Sequence, residues 1–250
     1  MGRAPALLSA RAAAFAALAA ALGLYYAFVT ELWSASVWWN VLFLAGCVIP
    51  AVFGLVYVSL PYRRASGLAL VALAFVVLAV VLEAADEGAV ANFAKLGAAT
   101  AFGFWFLAYF ERLWWLVLVA FIVPFVDAIS VWRGPTRNIV AHRRHVFTKL
   151  SFAFPVPGGN GTANLGVPDL LFFALYLAGA ARWGLRPWWT FVAMTASLGA
   201  TIALATWWDV AGLPALPGLS IAFLGVNADL IWRRVRAERV APEPEAGEAR

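Results

Sequence analysis

Pro124-Phe-Val-Asp-Ala-Ile-Ser-Val131 and, beyond a basic and glycine-rich loop, Leu165-Gly-Val-Pro-Asp-Leu-Leu-Phe-Phe173 decide how this chain is read. Each is a hydrophobic segment holding one acid, Asp127 in the first and Asp169 in the second. An ionised carboxylate is expensive in hydrocarbon, so an acid within a membrane span is by default a candidate for function. Consecutive spans run antiparallel. An acid just before the connecting loop and an acid at its far end therefore come to one side of the bilayer, at one depth. Two carboxyls at one level are the minimum equipment for splitting a bond with water.

The surroundings of these segments place them in a membrane. The chain has 250 residues, of which 64% are apolar and 12% charged, with a mean hydropathy of +0.84. A soluble domain carries about 25% charged residues. The runs are apolar all round rather than alternating, which excludes a transmembrane β-barrel and leaves a polytopic all-α protein. Cys47 stands alone, so there is no internal disulfide and no cysteine-built metal site; no metal and no cofactor are expected. A pI near 9.8 would suggest nucleic acid as the partner of a soluble protein. Here loop arginines that fix topology explain it, and the expected partner is the lipid bilayer. Lys95 and Lys149 are the two lysines, and the other 16 of 18 basic residues are arginine. That bias, with abundant Ala and Gly, points to a GC-rich prokaryotic source and its cell membrane.

With about 20 residues per span, the chain divides into about eight: 6–30, 37–60, 66–85, 89–110, 113–131, 167–181, 188–207 and 213–232. Lys95, near one end of the fourth, is expected to snorkel to the interface. Pro124 kinks the fifth three residues before Asp127, which is tolerated where a helix lines a wet cavity. Residues 132–165 are expected to form a loop, and 233–250 a disordered polar tail. No internal repeat or linker divides 1–232, which forms a single domain of four N-terminal spans (6–110) and a second half (113–232). Cytoplasmic termini would put Arg63, Arg64, Arg112, Arg182, Arg186 and the tail's arginines inside, with Glu31, the Glu83–Glu87 cluster and Asp209 outside. The 132–165 loop, with Arg133, Arg137, Arg143, Arg144 and Lys149, departs from that rule.

A third feature completes the pattern. The last span opens with Gly212-Leu-Pro-Ala-Leu-Pro-Gly-Leu-Ser-Ile221. Two prolines three apart prevent a regular first turn and leave polar backbone that must be buried against protein. Acid, loop, acid, one intervening span, then Pro214-Ala215-Leu216 resembles the presenilin and signal peptide peptidase family of intramembrane aspartyl proteases. Asp127-Ala-Ile-Ser-Val131 is similar to the first-aspartate segment of its microbial members. The resemblance covers roughly residues 113–231. It departs from the family at the second motif, where Gly-x-Gly-Asp is replaced by Gly166-Val167-Pro168-Asp169. The family also has nine spans rather than eight.

The resemblance implies an aspartic endopeptidase that cleaves transmembrane helices of other membrane proteins, with Asp127 and Asp169 as a dyad sharing one proton. It implies a substrate held as an extended strand along the Asn164–Gly166 backbone, with Val167 and Pro168 following, and along Leu213, Pro214, Ala215 and Leu216. Two rivals stand beside it. The same acids would serve a proton- or cation-coupled transporter, though such folds show repeat symmetry. An inactive relative that binds membrane proteins is the other, because proline fixes φ where glycine gave freedom. A prepilin-peptidase-like enzyme would want a lysine soon after the second acid, where Leu170-Leu171-Phe172-Phe173 stands.

Plainer readings cover the remaining features. Asp169 is also placed to cap its own helix, and Pro214 with Pro217 to start one. His142 and His145 read as part of a solvated basic loop facing anionic lipid rather than a metal pair. Gly158-Gly159-Asn160-Gly161 is a flexible turn, and its glycosylation-like Asn160-Gly161-Thr162 is chance. Asp209 and Asp229, beside Trp207, Trp208 and Trp232, read as interfacial anchors.

Overall fold

A computed structural model describes residues 3–133, 149, 151–159, 161–210 and 212–240. The arginine-rich middle of the long loop, with His142 and His145, lies outside the described residues, as does Asn160. In chain order the elements are α1 (Arg3–Phe28), α2 (Val37–Phe43), α3 (Ile49–Val58), α4 (Leu68–Ala84), α5 (Gly88–Phe106), α6 (Leu113–Arg133), β1 (Ser151–Pro155), β2 (Thr162–Gly166), α7 (Val167–Arg182), α8 (Pro187–Trp207) and α9 (Leu216–Val240). A π-helical turn over Leu44–Val48 joins α2 to α3. Its cause is Pro50 in the following turn, whose missing N–H forces the ladder to slip by one residue.

Five helical stretches are long and apolar enough to cross a bilayer: Ala10–Phe28, Val37–Val58, Gly88–Tyr109, Leu113–Ser130 and Pro187–Trp207. At 17 and 16 residues, α4 and α7 are shorter. The 25 residues of α9 end in Arg233, Arg234 and Arg236. The architecture is that of a helical membrane protein, with two corrections to the sequence reading.

First, the fold is not purely helical. The 132–165 loop contains an antiparallel hairpin pairing Ser151 with Gly166, Ala153 with Asn164 and Pro155 with Thr162. Phe152 and Phe154 alternate into the core, at 0% and 1% exposure, which is the period-two pattern of a half-buried strand. Gly158 and Gly159 make the turn at φ of 81° and 73°, a left-handed conformation that favours glycine. Second, the chain stays helical beyond residue 232, and α9 runs to Val240. Arg233 and Asp229, four apart and 3.0 Å from each other, support that extra length.

The centre of the bundle is α7, although it is shorter than α5, α8 and α9. Phe173, Ala174, Leu175, Tyr176, Leu177, Ala178 and Ala180 all have 0% exposure, so between Phe173 and Ala180 no face of this helix meets the outside. Around it pack α5, α8 and α9, and α6 lies against α9. Phe173 meets Phe53 of α3 with ring centroids 4.0 Å apart. Tyr176 stacks on Phe223 of α9 at 5.0 Å, and its hydroxyl sits 3.1 Å from Ser220 Oγ. Such a helix needs close neighbours, and α5 supplies one through Gly103. A Cβ at that position would lie 2.9 Å from the Leu171 carbonyl oxygen and 3.1 Å from Ala174 Cβ. Because the obstacle is backbone, Gly103→Val is expected to lower stability by about 1–3 kcal/mol. Thermal unfolding in detergent would show it.

Short connections make successive helices alternate in direction, and charge follows the two ends. At the end where α1 begins and α9 finishes lie Arg11, Arg63, Arg64, Arg112, Arg182, Arg186 and Arg233. At the other lie Glu31, Glu83, Asp86, Glu87 and Asp209, together with the hairpin.

Candidate active site

Proline positions Asp127. Within α6, Pro124 cannot donate to the carbonyl four residues back, and Asp127 follows on the same face. The half-buried Asp127 carboxyl turns to α9, where its Oδ2 accepts the Leu216 N–H at 3.2 Å. That donor is free because Pro214 and Pro217 keep residues 212–215 out of the helix and place its first turn at Leu216. Leading N–H groups of a helix lack internal partners and carry positive partial charge. An acid from a separate helix thus meets one of them. Ala215 and Leu216 are buried at 4% and 5% exposure, while Leu213 and Pro214 are half-buried.

Asp169 stands in the first turn of α7. Its Oδ2 reaches back to accept the Gly166 N–H at 3.1 Å, one arm of a capping box. Gly166 has ordinary extended geometry, φ −63° and ψ 143°, so its need for glycine is one of space. A Cβ there would approach Asp169 Oδ2 to 3.1 Å. Val167 and Pro168 open the helix. Pro168 falls where a missing N–H leaves no helical bond unmade. Asp169 is half-buried and in electrostatic range of Asp127. Among the described residues the second oxygen of each carboxyl has no hydrogen-bond partner. The nine predicted site residues therefore gather around the meeting of α6, α7 and α9: two acids, each held by one backbone donor.

Sequence reasoning missed what holds the hairpin beside them. Lys95 does not snorkel; that expectation is corrected. It is buried at 8% exposure, with Nζ 2.6 Å from Glu83 Oε1 and 3.0 Å from the Ser151 carbonyl oxygen. A cation this deep needs a paired acid and satisfied donors, and both are present. Asn92, one turn earlier, donates to the Ala153 carbonyl at 3.3 Å and accepts the Ala153 N–H at 3.2 Å, as a neighbouring strand would. From α1, Tyr26 Oη donates to the Ala153 carbonyl at 2.7 Å and Tyr25 Oη to that of Pro155. The Gly158 N–H bonds the Val29 carbonyl at 2.9 Å. The outer edge of β1 is thereby occupied. In an antiparallel pair, residues opposite one another share their direction. Asn164, opposite Ala153, consequently turns its backbone groups outward from β2, and no backbone partner meets them among the described residues. A polar residue at helical spacing before Lys95 was the one available signal, and it needed the hairpin to make sense.

The chain matches no protein-family model and no curated protein.

Proposed function

We propose that this protein is an intramembrane aspartyl endopeptidase of presenilin-like type, an eight-span bundle that cleaves transmembrane segments of membrane proteins. The observation that carries the reading is the pairing of Asp127 with the Leu216 N–H, which ties the first acid to the Pro-Ala-Leu segment, within electrostatic range of Asp169. Two carboxyls that cannot both ionise cheaply share one proton. The ionised member takes a proton from water as that water attacks the scissile carbonyl, and the protonated member donates to the carbonyl oxygen. Collapse of the resulting diol breaks the C–N bond as the amine leaves with a proton.

A helical substrate hides its carbonyls in its own hydrogen bonds, so it must first unwind. The outward edge of β2 offers an extended segment the partners that its helix gave up, and this edge leads directly into Gly166 and Asp169. The Leu213–Leu216 backbone takes the opposite side. On this reading the arginine-bearing end of the bundle and both termini face the cytoplasm of a prokaryotic cell.

The test is cleavage of a fluorogenic transmembrane peptide by purified protein in detergent, with and without a peptide in which a hydroxyethylene group replaces the scissile amide. Cleavage blocked by that isostere supports the reading; cleavage indifferent to it removes it. A finer expectation concerns Gly166. In Gly166→Ala the new methyl stands 3.1 Å from Asp169 Oδ2, so the carboxyl must give by a few tenths of an ångström, a fraction of the roughly 1 Å misplacement that costs about a hundredfold in rate. Cleavage is expected to fall by about two- to tenfold while the unfolding temperature stays nearly unchanged, because the backbone geometry there suits alanine.

A further inference from the structure

At the arginine-bearing end of the bundle, away from the two acids, an open cavity of about 480 Å³ lies between the turn after α3, the start of α4, the end of α5 and the end of α7. Arg63, Arg64 and Arg182 line it, and none of the described residues lining it is acidic. Its apolar wall comes from Leu68 and Phe104, with Trp105 beside them. We propose that this groove binds the phosphate of an anionic phospholipid headgroup, with the acyl chains leaving along the apolar wall.

The arginines are placed for this in different ways. Arg182 is fixed: its Nη1 donates to the Leu107 carbonyl at 2.6 Å, and its guanidinium lies 4.9 Å from the Trp183 ring. Among the described residues Arg63 is held by one bond from Nη1 to the Leu60 carbonyl at 3.0 Å, and its Nε is buried without a partner. A buried donor left unpaired is costly, and a guanidinium fork matches a phosphate with two parallel bonds. Arg64 is exposed and has no partner among the described residues. Burial, then the nearby charges of Arg64 and Arg11, pull Arg63 below the usual guanidinium range, so the cluster is short of negative charge. Arginines that serve only to set topology can keep their charged heads in water. Here three share one cavity with a half-buried member. The position at the bilayer edge, with an aromatic residue and an apolar wall, fits a lipid phosphate.

The experiment is native mass spectrometry of the detergent-purified protein with dioleoyl phosphatidylglycerol, dioleoyl phosphatidylcholine, and phosphatidylglycerol in the presence of millimolar inorganic phosphate. Wild type is expected to retain one phosphatidylglycerol in preference to phosphatidylcholine. R64Q is expected to weaken that retention about fivefold and R63Q/R64Q about thirtyfold, with R233Q, which lies outside the groove, unchanged. Since Arg64 has no partner to lose among the described residues, R64Q tests the site even where the double variant fails to fold. Phosphatidylglycerol that persists against phosphate supports the lipid source; displacement by phosphate supports a phosphate site but assigns it to a soluble anion. Equal retention of the two lipids by wild type, or retention unchanged in R64Q, would overturn the proposal.

Discussion

Asp127→Asn and Asp169→Asn are each expected to lower cleavage of a transmembrane peptide by at least about a hundredfold, the smaller end of what one proton-transfer group contributes. Asparagine keeps the shape and can still accept the Leu216 or Gly166 N–H that each carboxylate accepts now. Folding should therefore survive both changes, and unfolding temperatures should stay near that of wild type. The double variant should be no slower than the slower single one, because residues that act as one unit lose their effect together. The result also separates the rivals. A helix-capping role for Asp169 predicts a stability change without a specific loss of cleavage. A transporter predicts proton or cation flux that both variants abolish, with no proteolysis in any of them. An inactive relative predicts no cleavage by wild type but binding of the same peptide.

Phe173→Ala is expected to carry the largest stability effect. Phe173 sits one turn below Asp169, fully buried against Phe53 at a centroid distance of 4.0 Å and edge-on to Phe191 at 6.3 Å. Truncating a buried phenylalanine costs about 3–5 kcal/mol in a water-soluble core. Between helices in lipid the alternative solvent is itself apolar, so the expected loss is about 3 kcal/mol, from packing alone. That corresponds to a fall of about 10 °C in the unfolding temperature. A second consequence separates this site from an ordinary core position: the cavity opens directly under Asp169. Cleavage measured well below the unfolding temperature should fall as well.

The sequence carried the helices well, because a membrane imposes long apolar runs and short polar turns that can be read by length alone. The helical stretches fall within a few residues of the sequence-drawn spans over most of the chain. It also singled out the two acids and Pro214-Ala215-Leu216, since charge and proline are conspicuous against hydrocarbon, and the bond from the Leu216 N–H to Asp127 joins two of those three features. The hairpin was hidden. Ser151-Phe-Ala-Phe-Pro155 is only five residues long, and its alternation is diluted in a protein where most residues are apolar. Lys95 was misread for a related reason. Distance from the span end suggests snorkelling, but the partner that decides its direction, the Ser151 carbonyl, lies 56 positions away in sequence. Asn92 and the Tyr25–Tyr26 pair likewise act on backbone that no local pattern could supply. The extension of α9 past residue 232 rests on ordinary helix formers and one ion pair, features that an Arg-, Glu- and Ala-rich tail shares with disordered segments.

The pairing of the two carboxyls can be tested without any substrate. Cys47 is the only cysteine, so a Cys47→Ser protein carrying Asp127→Cys and Asp169→Cys offers a pair of thiols and no others. Treated with a short bifunctional methanethiosulfonate and weighed intact, it should take up a single reagent molecule that consumes both thiols. Two reagent molecules, each attached at one end only, would mean that the side chains at 127 and 169 do not face a common site.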